Sequence, residues 1–542
     1  MSGHETSPTR GAGGAGGVRG KGLLARLWHE SGLASLRQTG RDALLVILSR
    51  TTRMFAFGAA SLTLALFFAE LGFSDFRIGL FLTLTLVGDV LLGLAVTLMA
   101  DGLGRRRVLV AGGLLMALSG AAFSVFESFW VLLLAAVVGV VSASGGDFGP
   151  FRAIEESTLS HITTPKTRAD VLSWYVAASS LGSALGPEVA GRLVDGLSKG
   201  KGWDLVQAYH ATFWVYIVMG CLNVVFALSL SSKCELSGGE KDVAAAAVAA
   251  AARDGTSRHD DDELAQGLLD DNDYDNRSNA GSDNAHVASE QQQQQQQPKP
   301  KTSRFSQISP STRATMYKLW FLLTVDTLAD GMVSQTLTIY FMQRKFGSQV
   351  DTSSLGDVMS TAMVLATVGA LFAGPLSRHL GLLNTMVFTH IPSSAAVLLF
   401  PFPHGLALTS ALLYLRMGLN PMDQAPRAAF IAAVVRPEER TAVMGITSTL
   451  RTCAMAVGPS LTGGLAQTDR FWIAFLVGGS LRLLYDLGLW AMFVNLKLHA
   501  HEEDGGDEQQ QQQQGGESVF GDEEAAAELH PQRASTSTDV QR

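Results

Sequence analysis

The chain has 542 residues, of which 47% are hydrophobic and only 17% charged, and its mean hydropathy is +0.20. A soluble protein carries about 25% charge, so an ordinary water-soluble domain is excluded. The net charge of −8 comes mainly from the tails and a middle loop and marks no nucleic-acid partner.

The N-tail, residues 1–42, contains Gly, Arg and Ser without an early apolar core. It is therefore not read as a cleaved signal peptide, and the first spanning helix must direct insertion. Apolar runs such as Met54–Ala69 and Val108–Phe126 approach the roughly 20 residues that cross a bilayer. The pattern predicts spans at 44–70, 78–99, 108–126, 130–150, 170–193 and 211–231, a first bundle within 43–231. The segment 232–312 is a different polymer, with an alanine block (Ala244–Ala252), an acidic stretch and seven glutamines (Gln291–Gln297). Such composition cannot bury a core, so it is expected to be a disordered spacer. Six more spans follow at 319–342, 356–376, 384–402, 405–421, 443–465 and 471–494, a second bundle within 313–497. The tail 498–542 has another glutamine run and is also expected to be disordered. Cys221, Cys234 and Cys453 show no paired spacing, which argues against disulfides or a zinc site.

Basic residues near the helix ends, including Arg37, Arg41, Arg105, Arg106, Arg107, Lys166, Arg168, Arg436 and Arg440, fall on the side of both tails and the middle loop. That side is expected to be cytosolic.

An internal repeat is the most informative feature. Pro165, Arg168, Gly186-Pro187, Gly191 and Leu193 recur as Pro437, Arg440, Gly458-Pro459, Gly463 and Leu465, at a constant offset of 272 residues. A register held over a loop and a helix indicates two homologous six-helix halves, which place a substrate site between bundles that rock.

The loop after the second span reads Asp101-Gly102-Leu103-Gly104-Arg105-Arg106-Arg107, and it resembles the loop signature of the major facilitator superfamily. It matches at Asp101, Gly104, Arg105 and Arg106, and departs at Thr97 and Gly102. The resemblance implies a charged latch between conformations. The second half keeps a worn copy, Gly374 through Arg378-His379-Leu380-Gly381. The fifth span carries Gly182-x-x-x-Gly186-Pro187-x-x-Ala190-Gly191, similar to a motif that marks proton-coupled exporters in that superfamily. As bare chemistry these small residues form a close-packing face. The implied fold is all-α, two six-helix bundles related by a pseudo-two-fold axis.

Ionisable groups at bilayer depth cost about 2.5–3.5 kcal/mol on insertion scales and mark pathways or partners. Arg50 and Arg53 on the first span are expected to meet Asp326 or Asp330 on the seventh, its counterpart, as a gate or substrate site. Asp89 and Arg416 are further pathway candidates. Asp147, Arg152, Glu155 and Glu156, with Asp423 and Arg427 in the second half, read as helix-end gating charges. Arg482 and Asp486 are spaced to pair with each other as structure, and His390 reads as a lone, locally satisfied histidine.

No Gly-x-x-x-x-Gly-Lys-Ser/Thr loop supports an ATPase, and no enzyme activity, metal or cofactor is expected. The expected function is secondary active transport of a small solute, with a proton gradient as energy source. Export leads; proton-coupled uptake and a non-transporting solute sensor are the alternatives. The chain is expected to be a monomer in the lipid bilayer of the plasma membrane, with an internal membrane such as the vacuole as the alternative.

Overall fold

The computed structural model describes residues 33–139, 141, 151–235, 310–435 and 440–493, and these are helical with no strand among them. In chain order the first half comprises α1 (Leu33–Thr39), α2 (Arg41–Glu70), α3 (Asp75–Leu103), α4 (Arg105–Val125), α5 (Phe129–Val138), α6 (Phe151–Ile162), α7 (Pro165–Asp195) and α8 (Leu205–Ser229). The second half comprises α9 (Pro310–Met332), α10 (Gln335–Phe346), α11 (Thr352–Leu380), α12 (Leu382–Leu399), α13 (Leu406–Leu419), α14 (Gln424–Val434), α15 (Arg440–Gln467) and α16 (Phe471–Phe493). These helices occupy the expected spans and form two helical bundles, one from each half of the chain.

By length and composition, seven described helices are apolar enough to cross a membrane: α2, α3, α4, α8, α11, α12 and α16. The periphery exposes large apolar residues such as Leu118, Trp130, Leu134, Phe321, Leu371 and Phe372. In water such a surface would aggregate; in a bilayer it faces lipid.

Five expectations need correction. The seventh span is not continuous, because α9 ends at Met332 and α10 begins at Gln335. The tenth is also divided: a tight turn, Asn420–Asp423, separates α13 from α14. The fourth span shows helix only to Val138, with residues 142–150 outside the described set, and α6 follows as a separate helix. Residues 33–39 and 41–42, expected as tail, are helical, and Ser35 donates to Asp170 at 2.5 Å. Chain described after the middle loop resumes at Pro310, within the segment expected as spacer.

The repeated glycines explain how the bundles close. A Cβ on Gly182 would lie 2.4 Å from the Thr51 carbonyl oxygen, and one on Gly186 would lie 2.2 Å from that of Phe55. Only glycine lets α2 and α7 approach so closely. Gly458 does the same in the second half, facing Gly331 of α9 at 2.3 Å. The next turn of each motif works between the halves instead. Gly191 faces Thr352 of α11, Gly463 faces Asp75 of α3, and the Pro187 and Pro459 carbonyls lie against Gly356 and Gly79. One motif thus packs each half internally and against its partner.

Gly186→Val should therefore force α2 from α7 and cost about 1–3 kcal/mol by overpacking. Gly464→Ala, which meets nothing within 4 Å, should be neutral. Thermal unfolding of the purified variants checks this; equal melting temperatures would contradict it.

Candidate functional site

The loop signature has a concrete structural role. Gly104 adopts φ +95°, and a Cβ there would lie 2.9 Å from a Glu235 carboxylate oxygen. The Arg106 amide donates to the same carboxylate at 3.1 Å, and its side chain donates to the Ala227 carbonyl at 3.2 Å and to that of Leu228. Arg106 thereby satisfies carbonyls left open at the end of α8. Arg105 is buried. The loop is tied to the first residues of the middle segment. Asp101 ends α3, and its side chain lies outside the described residues, as does Asp147 entirely.

Arg50 and Arg53 are both buried, and the structure gives them partners within their own half rather than Asp326 or Asp330. Arg53 donates to Glu155 at 2.5 Å. Arg50 donates to the Tyr175 hydroxyl at 2.9 Å, and that hydroxyl donates to Glu155 at 2.9 Å. The guanidinium of Arg50 lies 4.5 Å from the Tyr175 ring centroid, within cation–π reach. Glu155, expected at a helix end, is fully buried. Its neighbours on α6 behave as expected of a helix surface, with Arg152 bonding Glu156 at 2.8 Å and half exposed. A small cleft lined by Arg53, Phe57, Gly112, Met116, Phe151 and Asn223 lies inside this half rather than between the halves. Asp89 is buried on α3.

The second half mirrors the first with reversed sign. Asp326 of α9 stands 3.2 Å from Arg427 of α14. Glu155 and Arg427 are related by the repeat offset of 272, and Arg53 and Asp326 by 273. Where the first half has arginine on α2 and glutamate on α6, the second has aspartate on α9 and arginine on α14. Asp423 also accepts from Arg427 and is buried, so neither is a helix-end surface charge. The buried residues of this half form a larger polar group than the sequence suggested. Arg482 donates to Asp330 at 2.7 Å, to Asn420 and to His390 at 2.8 Å. Asp486 pairs with His390 at 2.7 Å and with Ser394 at 2.8 Å. Arg482 and Asp486 are therefore not partners of each other, and His390 is not alone. Their i, i+4 spacing is compatible with a pair, but their side chains are drawn to other helices.

Arg416 was placed correctly inside a span, but its role was not legible. It donates to the Val333 carbonyl at 2.6 Å and to Thr338 at 3.1 Å, across the break between α9 and α10. Thr462 donates to the Met332 carbonyl at 2.8 Å. Broken helices survive at membrane depth only where neighbours satisfy the freed backbone groups. The signal available was the small and polar run Gly331-Met332-Val333-Ser334-Gln335-Thr336.

Among the described residues, the ion pairs joining the halves fall at the end away from the termini. Arg344 of α10 bridges Asp75 of α3 and Asp469, and Tyr340 donates to Asp75 at 2.5 Å. Arg192 reaches Asp357 at 3.3 Å, Asp195 accepts from the Ser353 amide at 2.9 Å, and Lys199 pairs with Asp351. The hydrogen bond to Asp351 raises the Lys199 pKa above its ordinary value, so the lysine stays charged at neutral pH, and its side of the pair is lost as pH rises through the lysine's own range. Deeper in, Thr83 bonds Ser460 at 2.8 Å and Gln335 reaches Ser61 at 3.3 Å.

Comparison with known proteins agrees with this geometry. A family model described as the Major Facilitator Superfamily matches residues 46–253 and 319–532. An uncharacterized membrane protein of Saccharomyces cerevisiae, YJR124C, is 30% identical over 460 residues, covering 84% of this chain and 95% of that protein. The solved structure of the nucleoside transporter NupG is similar with a TM-score of 0.58 at 13% identity, over 84% of this chain and 100% of its own. A D-xylose-proton symporter gives 0.54 at 12% identity, over 83% of this chain and 97% of its own. A bacterial homologue of the human lysosomal transporter Spinster, captured inward-facing and occupied, gives 0.56 at 12% identity, over 83% and 95%. At such identities the solved structures speak for the fold alone. With the family match extending over both halves and their repeat, the chain belongs to the major facilitator superfamily, as an integral multi-pass membrane protein.

Proposed function

We propose that the protein is a secondary active transporter that exports a small solute by alternating access in exchange for protons. The observation that carries this reading is the division of its charges. Among the described residues, the buried ion pairs, Arg53–Glu155 and Asp326–Arg427, lie inside a half, which keeps the body of each bundle rigid. The ion pairs that join the halves, Arg192–Asp357, Lys199–Asp351 and Arg344–Asp75, instead lie at one end and each has at least one exposed partner. Exposed pairs are screened by solvent and separate readily, whereas the internal pairs would cost several kcal/mol to break. A molecule built this way parts between its halves before it comes apart within them. The break between α9 and α10 beside the partner half gives the second bundle a place to bend.

Liposomes containing the protein and an enclosed pH dye test the coupling. Nucleosides, sugars, amino acids, organic anions and cationic dyes are added outside in turn. Exchange for protons alkalinises the interior when a substrate is added, and proton-coupled uptake acidifies it. An unchanged interior for every class, with a correctly folded protein, contradicts proton coupling and favours a sensor.

A further inference from the structure

The proposed exchange needs a group that holds a proton in one conformation and releases it in the other. We infer that His390, set between Asp486, Arg482 and Asp326, is the proton-binding site, and that its proton is read out through Arg482 to the break in the seventh span. The inference rests on the proton-coupled reading above and specifies its site.

The hydrogen bonds fix the state of the ring. A guanidinium can only donate, so at 2.8 Å from Arg482 the His390 Nε2 must accept. Nδ1 therefore carries the hydrogen and donates to Asp486 at 2.7 Å, leaving the imidazole neutral. Ser394 donates to the other Asp486 oxygen at 2.8 Å. A proton arriving at Nε2 would set two donors against each other, and Arg482 would have to withdraw.

An acceptor already waits for that proton. Asp326 is fully buried, and neither of its carboxylate oxygens accepts a hydrogen bond. One oxygen lies 3.9 Å from Nε2, and the other is 3.2 Å from Arg427. Protonated Nε2 can turn its hydrogen to Asp326 as Arg482 retreats toward Asp330.

The surroundings make the proton costly unless something moves. From α9 face Asp326 and Asp330, from α16 Arg482, Tyr485 and Asp486, and from the turn after α13 Asp423. Arg427 of α14 pairs with Asp423 and Asp326, Arg416 of α13 bonds the break, and Arg451 of α15 reaches Thr327 at 3.3 Å. The ionisable side chains of α11, Asp357, Arg378 and His379, are exposed. Four aspartates thus balance four arginines while His390 is neutral. One added proton unbalances a buried group, which costs several kcal/mol unless charges rearrange.

Asp330, the group that receives Arg482, has 26% of its side chain exposed while Arg482 itself is fully buried. It is also three residues before Val333, where Arg416 holds the broken helix open. A proton on His390 is thereby linked to the hinge that faces the other half.

The test is the pH dependence of the distance between the halves at the terminal end, read by spin labels on His161 and Arg378 in lipid nanodiscs, with the native cysteines replaced. The wild type should shift between two distances as pH passes through the histidine range, and His390→Gln should hold one distance at every pH. Asp486→Asn keeps an acceptor for Nδ1 but removes the neighbouring charge, so its midpoint should fall by about one to three pH units. If His390→Gln fails to fold, the Asp486→Asn midpoint alone decides. A wild-type shift that either folded variant leaves unchanged overturns the site while proton coupling stands. A wild type without any shift overturns the coupled reading as well.

Discussion

Replacing Glu155 with Gln is expected to abolish transport and lower stability by about 3–5 kcal/mol, the cost of leaving a buried charge without its partner. Arg53 loses its 2.5 Å bond to a charged acceptor, and the Tyr175 hydroxyl that bridges to Arg50 loses part of its own. Asp326→Asn should cost less, because Arg427 keeps a second buried carboxylate partner in Asp423. The sign inversion between the halves gives a sharper form of the experiment. Arg53→Asp with Glu155→Arg gives the first half the polarity of the second, and this double variant should recover part of the stability lost by either single change. The sequence alone suggests a different swap across the halves, Arg53→Asp with Asp330→Arg, or the same exchange between Arg50 and Asp326. Recovery by the within-half swap and not by the cross-half swap is the outcome the structure supports. If only the cross-half swap recovers flux, the pairs trade partners during the cycle, and the rigid-bundle argument fails. Flux and thermal unfolding, measured on the same preparations, separate these results.

The second large effect is expected at Arg416. Arg416→Leu removes both donors from the break between α9 and α10, so the Val333 carbonyl loses its charged donor at membrane depth. Thr338 still reaches that carbonyl at 3.2 Å, which limits the damage. A lost charge-assisted hydrogen bond of this kind costs about 1.5–3 kcal/mol. Arg416→Lys should rescue poorly, because the guanidinium spans Val333 and Thr338 at once and an ammonium on a flexible stem does not reproduce the fork. Thr338→Ala should lose less. If Arg416→Leu melts like the wild type, another group or the bilayer satisfies the break.

How much of this was legible in the sequence depended on which physical signal each feature leaves there. Apolar runs and the 272-residue repeat exposed the fold and the glycine faces, because span length and close packing are written in consecutive residues. Arg50, Arg53, Asp326 and Asp330 were found because buried charge is expensive and so stands out in an apolar run. Their partners were not found. Glu155 and Arg427 sit on α6 and α14, short helices beyond interruptions in the fourth and tenth spans, where composition resembles a loop. Arg482 and Asp486 illustrate the same limit, since i, i+4 spacing says what a helix permits, and α9, α12 and the turn after α13 decide what it does. The break at Val333–Ser334 left only a short signal, the small and polar residues Gly331, Ser334, Gln335 and Thr336, because the flanking runs remain apolar enough to read as one span. The sign reversal between Arg53–Glu155 and Asp326–Arg427 was present in the numbering, but it carried no meaning until both pairs were seen in contact.

The most direct measurement of alternating access is the pair of distances between the halves at the two ends of the molecule. Spin labels on His161 and Arg378 report the terminal end, and labels on Gly200 and Ser348 report the far end, all exposed positions. Rocking about the interior predicts opposed changes: as the terminal end closes, the far end opens, where Arg344–Asp75, Arg192–Asp357 and Lys199–Asp351 now hold it together. Disrupting those pairs with Asp75→Asn and Asp351→Asn should shift both distributions together, in opposite directions. Two distances that stay fixed, or that change independently of each other, would contradict the account.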